Sequence, residues 1–73
     1  MRMLPRSAVR RIIRNSTGMR VGDDAATALT ELLEEIGEQL SVDAGKFAKH
    51  AGRRTVKARD LKLAYERVVK GGE

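Results

Sequence analysis

Residues 23–51, DDAATALTELLEEIGEQLSVDAGKFAKHA, decide the fold. Leu29, Leu33, Ile36, Leu40, Ala44, Phe47 and Ala51 follow one another at steps of 4, 3, 4, 4, 3 and 4, the spacing of one apolar stripe along a single helix. Asp23 and Asp24 open the segment, where carboxylates favour the positive end of the helix dipole, and Gly52 follows its last turn as a C-terminal cap. Both ends of the helix are marked. At 1.5 Å per residue such a segment makes a rod of roughly 43 Å. Gly37 and Gly45 lie inside it, and each costs about 1 kcal/mol against alanine. Two readings of them stay open: exposed glycines that the helix tolerates, or small residues that let another helix come close.

The rod does not fit the chain. A compact globule of 73 residues is roughly 30 Å across, so part of the stripe faces water unless a second chain covers it, and an exposed apolar patch of that size marks an interface. A chain this short is near the lower limit for a self-sufficient core. It has no cysteine for a disulfide and a single histidine, too few for a zinc site. Oligomerisation is the remaining source of stability. The inference is an obligate dimer with Leu29, Leu33, Ile36 and Leu40 in its core, and no metal or other cofactor is expected.

The flanks read as shorter helices. Pro5 is tolerated in a first turn, and Val9, Ile12 and Ile13 have helical spacing over residues 5–14; Asn15, Ser16, Thr17 and Gly18 are expected to stop that helix. Beyond the loop that holds Arg53, Arg54, Thr55 and Lys57, a third helix is predicted over residues 58–69, with Asp60 in its first turn and Leu61, Leu63, Ala64, Val68 and Val69 as its apolar residues. The whole, residues 1–73, is expected to be one all-α domain, with a flexible lead at 1–4 and a flexible tail at 70–73.

Charge is distributed unevenly. Residues 1–20 carry +6, residues 21–51 carry −5 and residues 52–73 carry +4, for a net +5 and a pI near 10.2. Basic ends around an acidic middle call for an anionic partner. Phe47 and Tyr65 are the only aromatic residues, too few for base-stacking platforms on RNA or single strands. A central helix of this length does not suit a helix-turn-helix repressor, and an acidic amphipathic helix does not suit a membrane surface. No apolar run approaches a membrane span and no signal peptide opens the chain, so a soluble, cytoplasmic protein is expected. No nucleophile, metal or phosphate-loop arrangement points to catalysis or to a small-molecule substrate. Two copies crossing along the stripe pack most simply antiparallel, which sets the loop around Arg20 of one chain beside the loop around Arg53 to Lys57 of the other. The basic ends then form one ridge suited to a polyanion backbone.

LPRSAVRRIIR, RVGDDA, LLEEIG and KHAGRRTVKARDLKLA resemble an archaeal histone, without gaps from Leu4 to about Arg67. The run RxTVKxxDxxLA after an HAGR helix end is far more specific than any amphipathic pattern. The resemblance implies the histone fold, short helix, loop, long central helix, loop and short helix, in a head-to-tail handshake dimer on duplex DNA bound with little sequence preference. It also implies association with the chromosome or nucleoid, and tetramers or higher oligomers on DNA. Position by position, Arg20 matches the arginine that enters the minor groove, and Arg54 and Thr55 match second-loop residues that meet phosphates. Arg11 matches a first-helix phosphate contact, with Arg14 and Lys57 at further basic positions. Arg53 and Asp60 match a structural salt bridge. Phe47, His50, Asp60 and Leu63 match the place where two dimers meet; for His50 the plain alternative is a partly exposed histidine near a helix end. Arg2, Arg6 and Arg10, read without the motif, belong to the solvated surface of a basic protein.

The sequence departs from the family pattern at several points. Gly22 stands where a serine often caps the long helix, and glycine caps almost as well. Gly45 replaces a larger apolar residue. Thr17 stands where many relatives have glycine at the close approach of successive turns of a wrapped superhelix. Glu31 and Lys62 could pair between such turns, whereas Glu35 and Glu66 fall where opposite signs are needed. Long compact superhelices are therefore expected to be weaker than dimers and tetramers on DNA. A paralogous histone is the other partner open to the DNA-binding dimer. The competing function is a histone-fold subunit that pairs with a different chain in a transcription or replication complex. Arg11, Arg20, Arg54 and Thr55 together argue against it, since a purely protein-binding subunit does not need them.

Overall fold

The computed structural model describes residues 4–71. Among them the chain forms α1 (Arg6–Thr17), α2 (Asp23–His50) and α3 (Ala58–Tyr65), followed at once by a π-helical turn, Glu66–Lys70, with no strand. The order short, long, short is the predicted one. Three boundaries differ from the sequence reading, each for a physical reason.

Asn15, Ser16 and Thr17 do not stop α1. The Thr17 hydroxyl donates to the Ile13 carbonyl (2.8 Å) and accepts the N–H of Met19, beyond the helix end (3.1 Å), so its polar side chain is satisfied locally in the last turn. Gly18 alone takes the left-handed conformation, φ 70°, and its N–H donates to the Arg14 carbonyl at 2.8 Å. At the other end of α2, Gly52 has φ 74°. Its N–H donates to the Lys49 carbonyl and the Arg53 N–H to the Ala48 carbonyl, both at 2.9 Å. This paired closure is a Schellman motif. It leaves Ala51, predicted as the last residue of the stripe, just outside the helix. The third helix is α-helical only to Tyr65; in the wider turn that follows, Lys70 Nζ lies 5.9 Å from the centre of the Tyr65 ring and 3.7 Å from the Glu66 carboxylate.

Leu4, counted with the flexible lead, is tied down by a hydrogen bond from its N–H to Glu34 Oε2 at 3.1 Å. The rest of the expected lead, residues 1–3, and residues 72–73 of the expected tail lie outside the described residues.

The chain's contacts gather into two compact units, Met1–Glu35 and Ile36–Glu73. In the first, Val9 of α1 and Ala26 and Thr30 of α2 are buried. Thr30 avoids an unsatisfied hydroxyl by donating to the Ala26 carbonyl at 2.8 Å. In the second, Ala44 and Ala48 of α2 and Ala64 of α3 are buried together with Asp60, which is 1% exposed. The largest fully buried side chain among the described residues is thus an aspartate. Each unit buries an i, i+4 pair of small residues on α2, Ala26 with Thr30 and Ala44 with Ala48. The large apolar residues of the stripe stand open: Leu29, Leu33, Leu40 and Phe47 are half-buried and Ile36 is 40% exposed. A Cβ built at Gly37 or Gly45 meets nothing within 4 Å. The space a side chain would take at either glycine is therefore open among the described residues.

Candidate nucleic-acid interface

The candidate site begins with exposed donors that no other described side chain engages. On α1, Arg11 and Arg14 are exposed, and in the loop between α1 and α2 so is Arg20. In the loop between α2 and α3, Arg54 and Thr55 are exposed, as is Lys57 at the N-terminus of α3. Among the described residues no hydrogen bond or ion pair engages the side chains of these six. Free guanidinium forks and a free hydroxyl are donors that phosphate oxygens accept.

The second loop is braced from inside. Arg53 Nη1 donates to Asp60 Oδ2 (2.8 Å) and to the Thr55 carbonyl (3.0 Å), and Nη2 donates to Asp60 Oδ1 at 2.7 Å. The Lys57 N–H donates to Asp60 Oδ2 at 2.8 Å. That last bond is half of a capping box; Lys57 has no side-chain oxygen with which to complete it. The hydrogen bonds from Arg53, then the one from the Lys57 backbone, hold the Asp60 carboxyl well below the usual carboxylate range, and the charges of Arg53 and of exposed Arg59 add to the effect. Arg53 shifts up in turn, chiefly through its hydrogen bonds to Asp60. Its Nε is buried with no acceptor among the described residues. The loop carbonyl of Thr55, the α3 N-terminus and Asp60 are therefore held as one piece, with Arg54 and the Thr55 side chain left on the outside.

The first loop has a brace that the sequence reading missed. Arg10, assigned there to solvated surface, has a side chain only 30% exposed. Its Nη1 donates to the Val21 carbonyl at 2.8 Å and its Nη2 pairs with Asp23 Oδ1. An arginine thirteen residues before an aspartate carries no sequence signal of contact. Only Asp23 in the first turn of α2 was legible, and it was read as a dipole partner of that helix.

Of the residues matched to a dimer–dimer contact, Phe47 is half-buried and His50 and Leu63 are exposed. Asp60 is buried, and its carboxylate accepts from Arg53 and from the Lys57 N–H within its own chain. Thr17 has its hydroxyl engaged twice, and Glu66 is within 3.7 Å of Lys70. Among the described residues no helix is long and apolar enough to cross a membrane, and no three His, Asp or Glu side chains converge as metal ligands.

Residues 2–65 match the family described as histone-like transcription factor (CBF/NF-Y) and archaeal histone. The chain belongs to that family. Its three helices are a histone fold, all-α, and membership in a family of histones and transcription factors, rather than anything missing from the site, is the ground for reading it as a non-enzyme. The chain is 49% identical over 61 residues to one of the subunits of archaeal histone HAN1 of Thermococcus zilligii, covering 84% of this chain and 91% of that one. It is 38% identical over 61 residues to probable archaeal histone 3 of Methanocaldococcus jannaschii, again with 84% and 91% coverage. DNA-binding protein HmvA of the same organism is 38% identical over 60 residues, 82% of this chain and 62% of that protein.

Proposed function

We propose that this chain is an architectural chromatin protein. A single histone-fold domain pairs head to tail with a second copy in a handshake dimer, and the dimers bind, bend and wrap duplex DNA with little sequence preference and assemble further on it. The observation that carries this reading is the set of exposed, unpartnered donors, Arg11, Arg14, Arg20, Arg54, Thr55 and Lys57, on α1 and on two loops whose backbones are braced. Arg20 enters the minor groove, where arginine reads width more than sequence; the others meet phosphates. Association with the nucleoid follows from that affinity.

The dimer is supported by what the chain fails to bury. Among the described residues an aspartate is the largest fully buried side chain, the buried apolar residues are Val9 and alanines, and Ile36 is 40% exposed; covering Leu29, Leu33, Ile36 and Leu40 with a second copy supplies a core of large apolar residues. Phe47, His50 and Leu63 then join dimer to dimer. A dimer that neutralises roughly six to ten phosphates has a log–log salt slope of about −5 to −9. Titration of random-sequence duplex at several salt concentrations measures that slope directly. A slope near zero, or no binding at moderate salt, removes the reading.

A second reading stays in view because the Thermococcus zilligii relative is by name one subunit of a histone: this chain pairs with a different histone-fold chain. Sedimentation of the purified protein separates the two, since a chain that needs another partner does not dimerise alone. Stacking of wrapped turns is expected to be weak, because exposed Thr17 fills the position of a small residue and has its hydroxyl engaged by its own backbone. Magnesium-driven compaction as strong as that of relatives with glycine there contradicts this.

A further inference from the structure

Two arginines in this chain make the same pattern of contacts. Arg53 grips the carbonyl of Thr55, the residue after Arg54, and the carboxylate of Asp60 in the first turn of α3. Arg10 grips the carbonyl of Val21, the residue after Arg20, and the carboxylate of Asp23 in the first turn of α2. In both cases one guanidinium ties the backbone beside an exposed loop arginine to the helix that follows. A planar fork of donors suits this two-point grip; a lysine ammonium does not.

The first loop needs such a device. Gly18 and Gly22 flank it, and glycine is the residue with most backbone freedom. Its near end is fixed by the Gly18 N–H on the Arg14 carbonyl (2.8 Å) and the Met19 N–H on the Thr17 hydroxyl (3.1 Å). Its far end is fixed by Arg10 on Val21 and Asp23. Met19 and Arg20 are left between two anchors, both exposed. Arg10 itself faces its own loop and, unlike Arg11 and Arg14, has no donor pair standing free in solvent.

We propose that Arg10 is a positioning residue that holds the first loop so that Arg20 is presented to the duplex already ordered, and that Arg10 does not touch DNA. The proposal rests on the DNA-binding reading above. Its physical content is pre-organisation: a loop ordered before binding does not lose that freedom on binding. Releasing about one residue's backbone freedom weakens binding roughly fivefold to thirtyfold.

Asp23 gives a test in which positioning and direct contact have opposite signs. Asp23→Asn breaks the ion pair while making the protein more positive. Fluorescence-anisotropy titration of random-sequence duplex is run on the unmodified protein, Arg10→Ala, Arg10→Lys and Asp23→Asn, each also in an Arg20→Ala background, with helicity and melting followed by circular dichroism. Positioning requires that Asp23→Asn, Arg10→Ala and Arg10→Lys all weaken binding by about fivefold to thirtyfold. It also requires that Asp23→Asn leave the salt slope unchanged and that the substitutions have little further effect once Arg20 is gone. Tighter binding by Asp23→Asn overturns the proposal. So does an Arg10→Ala loss that adds to Arg20→Ala, is rescued by lysine and lowers the slope by about 0.9 for each phosphate contact removed. Unchanged affinity in all three variants overturns it as well. If Arg10→Ala unfolds, the sign of the Asp23→Asn effect still decides. Failure of the unmodified protein to bind duplex at all counts against the DNA-binding reading instead.

Discussion

Replacing Gly52 by alanine tests the joint between the central helix and the second loop. Gly52 has φ +74°, and a Cβ added there meets nothing within 4 Å, so no clash contributes and the effect is conformational alone. Placing an L-residue in the left-handed region costs about 1–2 kcal/mol, offset in part by the smaller entropy that alanine has to lose on folding. The expected net loss is about 1 kcal/mol per chain, which lowers the melting temperature by roughly 4–8 °C for a domain of this size. Gly45→Ala is the mirror experiment. There too a Cβ meets nothing within 4 Å of its own chain, but the residue sits inside a helix, where alanine is favoured by about 1 kcal/mol. One chemical change is therefore expected to destabilise at residue 52 and stabilise at residue 45. Thermal melts at one fixed protein concentration measure both, since the stability of a dimer depends on concentration. A Gly52→Ala protein that melts with the unmodified one refutes the conformational reasoning. A Gly45→Ala protein that melts lower shows that a second chain packs against residue 45.

Arg20→Ala breaks no contact among the described residues, so folding stability is expected to stay within about 0.5 kcal/mol. A dimer that loses two arginines should bind every duplex more weakly, with a salt slope shallower by about 1.8 if each charge brought into the minor groove releases one condensed counterion; unchanged affinity for random duplex removes Arg20 from the site. Acid should loosen the second loop. The folded-state pKa of Asp60 is depressed, so its contribution to stability is fully present above the ordinary carboxylate value of about 4 and is lost progressively as the pH falls below it. Arg53 shifts upward, and its contribution would be lost only beyond the accessible alkaline range. Denaturation at pH 7 and pH 3 should therefore show a smaller acid loss for Asp60→Asn than for the unmodified protein; equal losses contradict the assignment.

The apolar spacing at Leu29, Leu33, Ile36 and Leu40, together with Gly52, made α2 legible, because a period and a cap are local properties of a sequence. The free arginines were legible through the resemblance of RxTVKxxDxxLA to archaeal histones, not through physics: exposed arginines on a basic protein look alike. Arg10 was illegible because one of its acceptors is the backbone carbonyl of Val21, which any residue at that position would offer, and only the turn geometry brings it within 2.8 Å. The extension of α1 through Thr17 was missed because propensity counts Asn, Ser and Thr as breakers, while the chain leaves the helix only at Gly18, in the left-handed conformation. The π-helical turn after Tyr65 leaves no mark in composition.

Nuclease protection of random-sequence duplex over a protein titration tests the central claim, that dimers wrap DNA through the exposed cations of α1 and the two loops. Discrete protected lengths are expected, set by the footprint of a dimer or a closed tetramer and lost as salt is raised. Absence of protection at moderate salt contradicts it and leaves a histone-fold subunit whose partner is another protein.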